Sequence, residues 1–181
     1  MKILAFLQNQ WFKNPDRARR ALAAAEADGY RDAWPRRLLF AGCITGRRLK
    51  SALGEDLCRQ IIWENASPQI AGKASECFKP DPAHMLAAIR KHRPQIILLF
   101  GKVAQQGWFE VIDHPTPPAT PADQVIIPAA NILHAPHPAA RGKGVIERLL
   151  LLGSEIRQRI ELDSRTAPGT ADLPIGRQVP A

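Results

Sequence analysis

The run QIILLF, Gln95 to Phe100, lies between Pro94 and Gly101. Bounded by these two breakers it is too short for a helix, and from Ile96 onward it has no polar face to turn toward water. A strand whose side chains are all apolar has to be covered on both faces, as strands inside a parallel sheet are. KILAFL, Lys2 to Leu7, has the same character near the start of the chain. Helix signals alternate with these runs. Asn14-Pro15-Asp16 combines an N-cap residue, a first-turn proline and an acid suited to the positive end of a helix dipole. The Ala-rich stretch to Ala27 continues that helix until Gly29, and Asp81-Pro82 repeats the signal for a helix ending near His92.

The remaining elements follow from the same punctuation. The segment from Trp34 to Gly46 reads as irregular, followed by a helix from about Arg47 to Leu53 that Gly54 stops. A strand is predicted over Gln60 to Glu64, a loop from Asn65 to Pro80, and a helix from about Val103. His114 to Pro121 is a proline-rich surface loop, and the fourth strand is either Val125–Ile127 or Asn131–Leu133. The last helix spans roughly Gly144 to Glu161, with Val145, Ile146, Leu149, Leu150, Leu152 and Ile156 as a broad apolar stripe. From Asp163 to Ala181 the chain is rich in Pro, Gly and Thr without periodicity and reads as a disordered tail. The expectation is one α/β domain over residues 1–162, three-layer α/β/α around a short, mainly four-stranded parallel sheet.

A chain of 181 residues with 45% hydrophobic residues is long and apolar enough for one domain with a real core. Its formal net charge of +8 is an argument about partners. It favours a polyanion, DNA or RNA, over a membrane surface. No segment approaches the apolar length that spans a bilayer, and the start, MKILAFLQNQW, lacks the core and cleavage site of a signal peptide. The three cysteines, Cys43, Cys58 and Cys77, contain no CxxC pair. That argues against a disulfide framework and against a four-thiolate metal site, and is consistent with reduced thiols in a cytoplasmic protein.

Ligands of parallel sheets bind outside the carboxyl ends of the strands. The residues expected there are Gln8-Asn9-Gln10-Trp11, Asn65-Ala66-Ser67-Pro68, Gly101-Lys102 and His134-Ala135-Pro136-His137-Pro138. Amides, histidines and aromatic residues converge, with Glu64 the one nearby carboxylate. There is no Walker lysine motif, no GxGxxG and no zinc-binding helix motif, which disfavours nucleoside-triphosphate chemistry and a carboxylate-driven hydrolase. Amides with a histidine suit the recognition of a planar amide-bearing ring and the stabilisation of an anion formed from it.

In the order of these segments the chain resembles the uracil-DNA glycosylase superfamily, enzymes that flip a base out of DNA and cut its N-glycosidic bond. The family's first motif, of the kind GQDPY, GMNPG or GEAPG, is matched by Leu7-Gln8-Asn9-Gln10-Trp11. A PFVGxxGxxL-like segment is matched by Leu39 to Gly46 with Leu49, and a strand ending in Asn by Ile61 to Asn65. An apolar strand with Gly and Ala is matched by Leu98 to Ala104. An HPS motif with a basic loop is matched by His137-Pro138-Ala139-Ala140-Arg141-Gly142. The match covers about residues 2–160.

The resemblance implies roles. Asn9 holds or polarises the attacking water, and His137 stabilises negative charge on the departing base. Gln8 gives backbone contacts to the base, Trp11 closes the pocket beside it, Phe40 stacks on the ring, and Asn65 reads its amide edge. Arg141 and Lys143 lie on a loop that contacts DNA phosphate. It further implies a monomer that needs no metal or other cofactor. Three departures qualify the match: Leu7 and Gln10 replace the Gly and Pro of the first motif, Ala139 replaces the usual Ser, and the cysteine spacing does not fit the iron–sulfur cluster of one branch. These departures keep open a DNA-binding module of the same fold with weak or lost catalysis, and the same pocket chemistry could serve an enzyme acting on a free nucleoside or nucleotide, with the basic surface incidental. Arg17, Arg19, Arg20, Arg47 and Arg48 read as solvated cations, and His84 and His92 as residues of a surface helix.

Overall fold

The apolar run before Gly101 forms strand β5 (Ile96–Phe100), every residue of which is buried. The computed structural model of the chain describes residues 1–8, 10–11, 14–27, 39–40, 43–73, 76, 78–113 and 128–166. Along these run β1 (Ile3–Leu7), β2 (Gln10–Trp11), α1 (Pro15–Ala27), α2 (Ile44–Leu53), α3 (Glu55–Gln60), β3 (Ile62–Asn65) and β4 (Ile70–Ala71). There follow α4 (Pro82–His92), β5, α5 (Gly101–Asp113), a single 3-10 turn at Ala129–Asn131, β6 (Ile132–Ala135) and α6 (Val145–Thr166). The main sheet has four parallel strands in the order β3-β1-β5-β6.

Side-chain alternation along the strands sorts the core into two layers. Ile3, Ala5 and Leu7 of β1, with Trp63, Leu98 and Phe100, pack on Leu49 and Leu53 of α2, Leu57 of α3, and Leu149, Leu152 and Ile156 of α6. Leu4 and Phe6, with Ile97 and Leu99, pack on Met85 and Ile89 of α4 and Ala104 of α5. The chain is therefore the three-layer α/β/α fold that its alternating pattern implies. Among the described residues no helix is long and apolar enough to cross a membrane.

Several boundaries differ from the sequence reading, each for a local reason. Helix α2 starts at Ile44 rather than Arg47, because Cys43 caps it: its Sγ accepts the Gly46 N–H at 3.3 Å and lies 3.0 Å from the Leu39 carbonyl. The expected strand at Gln60 begins only at Ile62, since Gln60 closes α3, a short helix with Glu55 and Asp56 in its first turn and Arg59 in its last. Strand β3 then includes Asn65. Within the expected loop, β4 pairs in parallel with β2, Gln10 opposite Ile70 and Trp11 opposite Ala71.

Strand β6 takes the later of the two runs considered for it, and Val125–Ile127, like the loop at His114–Pro121, lies outside the described residues. In α6 the apolar stripe is narrower than the sequence suggested, with Ile146 39% and Leu150 45% exposed. That helix also continues through Thr166, into the segment read as tail, where the Asp163 carboxylate lies 3.6 Å from the chain's amino terminus. Residues 167–181, like Gly29, lie outside the described residues.

The two helix starts read from Asn-Pro and Asp-Pro are present. Asn14 Oδ1 accepts the Arg17 N–H at 3.0 Å, and Asp81 Oδ1 accepts the His84 N–H at 3.0 Å. Because β5 is central and fully buried, truncating Leu98 to Ala is expected to destabilise the domain by about 2–5 kcal/mol, read as a fall in the urea midpoint at equilibrium.

Candidate functional site

Parallel order places the carboxyl ends of all four strands along one edge of the sheet. Read across it, that edge carries Asn65 at the end of β3, Gln8 after β1, Gly101 after β5 and His137 just past β6. With strands about 4.8 Å apart, the row from β3 to β6 spans about 14 Å. The strand pairing continues past the sheet: the Ala66 N–H donates to Leu7 O at 2.7 Å and the Ser67 N–H to Gln8 O at 3.0 Å. This holds Asn65 and Gln8 on adjacent strand ends. Gln8 and His137 meet in one cleft of about 910 Å³, whose walls also include Gly101, Lys102, Gln105 and Arg148.

The β5 to α5 junction has no loop, so the chain turns from strand to helix at Gly101 alone, at φ +84°. A Cβ there would stand 2.8 Å from the His137 Cβ. Glycine is needed twice over, for the left-handed backbone and for the close approach of the β6 loop. The loop beyond β6 is a tight turn in which the Ala140 N–H donates to His137 O at 2.8 Å. The Ala139 N–H donates to His137 Nδ1 at 3.2 Å. An Nδ1 that accepts a hydrogen bond carries no proton, so the neutral imidazole bears its proton on Nε2. Burial holds the ring below the ordinary histidine value, which favours this neutral form. His137 is thus a neutral Nε2–H donor with its other nitrogen fixed by the backbone.

Arg48, read from sequence as a solvated cation, is half-buried, and its Nη1 donates to Pro138 O at 2.8 Å and Ala140 O at 2.9 Å. Nothing local in the sequence signals this, because its partners lie some ninety residues away. Arg141 and Lys143 are exposed on the segment that leads from His137 into α6.

Phe40 is half-buried and edge-on to Trp63, with ring centroids 5.7 Å apart, while Trp63 stacks on Phe100 at 5.9 Å. The Lys50 ammonium sits 5.6 Å from the Phe40 ring centroid. Trp63 itself is core, its Nε1–H donating to Cys58 O at 2.9 Å. Asn9 lies outside the described residues, and Trp11 is described only as backbone paired with Ala71.

His84 and His92 do not sit on an open helix face. Both turn toward β3, with Nε2 atoms 4.0 and 3.7 Å from the Glu64 carboxylate, so Glu64 is engaged with α4 next to Asn65. Among the described residues no group of three or more His, Cys, Asp or Glu side chains is arranged to hold a metal ion. Cys43 and Cys58 are free thiols, and burial pushes that of Cys58 up to about 11. Cys77 lies outside the described residues. Comparison with protein-family models, with curated proteins and with solved structures returned no match.

Two outcomes follow. Gly101→Ala forces a side chain into both the left-handed backbone and the His137 contact, so it is expected to destabilise the fold by about 1–3 kcal/mol, measured by thermal and urea unfolding. The lowered value of His137 also has a sign in pH. As pH falls below about 6.5, the unfolded chain binds a proton that the native ring resists. This component of stability is present in full above that value and is lost down to the native value. His137→Gln removes it, so between about pH 7 and pH 5 the wild type should lose more stability than the variant in urea titrations.

Proposed function

We propose that the chain is a monofunctional DNA glycosylase that hydrolyses the N-glycosidic bond of uracil, or of a related damaged base, flipped out of DNA. The observation that carries this reading is the His137 geometry: a neutral Nε2–H donor at one end of a row of strand ends that also carries Gly101, Gln8 and Asn65. A base leaving with the electron pair of the broken C1′–N bond carries negative charge shared between that ring nitrogen and the carbonyl oxygens conjugated with it. A preorganised donor in a partly desolvated site lowers the energy of that charge. Water then supplies the oxygen that bonds to C1′, and its proton passes to the base or to solvent.

In this scheme Asn9, which follows Gln8 in the sequence, holds the water. Asn65 pairs with the amide edge of the ring, using one donor and one acceptor. Gln8 offers backbone contacts, Trp11 closes the C5 side of the ring, and Phe40 stacks on it at the end of its aromatic ladder. Arg141 and Lys143, exposed and adjacent to the His137 turn, contact phosphate, in keeping with the net charge of +8.

A second reading is a DNA-binding protein of this fold with weak or lost chemistry. It is favoured by Leu7, a buried core residue where a glycine would let the base approach the backbone, and by Ala139, which offers no hydroxyl to phosphate. An excision assay separates the two. Oligonucleotides with a single uracil, single- and double-stranded, are incubated with the protein in EDTA and then treated with hot alkali. Cleavage at the uracil is expected, with His137→Ala and Asn9→Ala each slower by about a hundredfold or more. Salt-sensitive retention of DNA without cleavage would support the binding module, and equal rates for wild type and both variants would remove the site assignment.

A further inference from the structure

Arg48 is a cation whose placement the resemblance does not account for. It reaches from α2 to the turn after β6, and one nitrogen, Nη1, bonds two carbonyls of that turn, Pro138 O and Ala140 O. Among the described residues no carboxylate is within ion-pair distance of it, so its donors are used on main-chain oxygen. The two carbonyls flank Ala139, whose N–H is the group that holds His137 Nδ1.

The covalent geometry of the peptide links these contacts. Pro138 C=O and Ala139 N–H belong to one planar unit, and the structure contains no cis peptide among its described residues. In a trans peptide the carbonyl and the N–H point in opposite directions. A guanidinium that fixes Pro138 O on one side therefore fixes the direction of the Ala139 N–H on the other. A cationic donor on the carbonyl also polarises the unit and makes that N–H a stronger donor. The second bond, to Ala140 O, holds the Ala140–Arg141 peptide, two units further on, so one guanidinium nitrogen fixes the turn on both sides of Ala139. Gly101 also limits the turn, since a Cβ there would stand 2.8 Å from the His137 Cβ.

We propose that Arg48 is a positioning residue for His137, acting through the Pro138–Ala139 peptide plane to keep Nδ1 as an acceptor and the proton on Nε2. The inference rests on the reading of His137 as the anion-stabilising donor, but the contact itself is testable without any substrate. Removing the guanidinium lets the Pro138–Ala139 peptide rotate and admits water to the turn. His137 then loses its fixed acceptor role at Nδ1 and becomes easier to protonate. Lys102, His134, Arg148 and Glu155 are the other titratable or charged groups that line the same cleft, and His134 serves as the internal reference for any general electrostatic change.

The experiment compares wild type with Arg48→Met, which keeps the aliphatic stem but no donor, and with Arg48→Lys, which restores a cationic donor. Two quantities are read by NMR: amide exchange at Ala139, and the 15N shifts of the His137 ring through a pH titration. In Arg48→Met, Ala139 exchange should accelerate at least about tenfold and the His137 midpoint should rise toward about 6.5, with His134 unmoved. Arg48→Lys should recover part of both. If Arg48→Met does not fold, Arg48→Gln, with one neutral donor, carries the same comparison. A folded variant whose Ala139 exchange and His137 titration match wild type overturns the proposal. Excision kinetics form a separate arm: if both readings hold, kcat in Arg48→Met falls by about a hundredfold with KM little changed. Changes at Ala139 and His137 in a protein that excises no base leave the positioning role standing and remove the glycosylase reading.

Discussion

Everything in this fold depends on burying both faces of β1 and β5. These two strands carry no polar side chain between Ile3 and Leu7 or between Ile96 and Phe100, and both are fully enclosed. A fully apolar strand is stable only with a helix layer on each side, and helices cover both faces when the strands run parallel and the connections cross over them. Parallel order in turn puts every carboxyl end on one edge of the sheet. Gln8, Gly101 and His137, far apart in sequence, share one cleft for that reason, and Asn65 lies on the same edge at the strand next to Gln8. The site is thus a consequence of where the apolar runs stop.

Within the site the controlling contact is between the bare Cα of Gly101 and the backbone of His137. It joins the ends of β5 and β6 more closely than any side chain would allow, and it leaves the imidazole beside the cleft with its Nδ1 turned back on its own turn. A histidine in water exchanges protons and tautomers freely. Here burial and one backbone N–H restrict it to a single useful state, a neutral donor at Nε2. On the far side of the sheet the charge pattern is different. Glu64 is drawn toward His84 and His92 of α4, which leaves amides rather than carboxylates at the strand ends.

Much of this architecture was legible in the residues. The apolar runs before Gln8 and Gly101, and the Asn14-Pro15 and Asp81-Pro82 helix starts, are local signals with a local physical cause, and the structure has them where the residues indicate. The errors fell where a short-range effect competes with a pattern. Cys43 caps α2 through sulfur, an N-cap that polar-residue rules do not anticipate. Gln60 looked like strand because apolar residues follow it, yet the acidic first turn at Glu55 and Asp56 extends helix through it. The amphipathic stripe of α6 overstated burial at Ile146 and Leu150, because periodicity marks a face but not how wide a neighbour covers it.

The sequence by itself determined the class of the fold, the positions of its principal strands and the set of residues at their carboxyl ends. These depend on apolar periodicity, capping chemistry and the backbone limits of Gly and Pro, which act over a few residues. Tertiary structure alone decided the burial that favours neutral His137, the engagement of Glu64 with two histidines, and the conversion of Arg48 from a solvated cation into a clamp on a turn some ninety residues away. Each of these is set by which groups meet across the packed layers. Hydrogen bonds and desolvation act over a few ångströms in space, and no spacing along the chain encodes that distance.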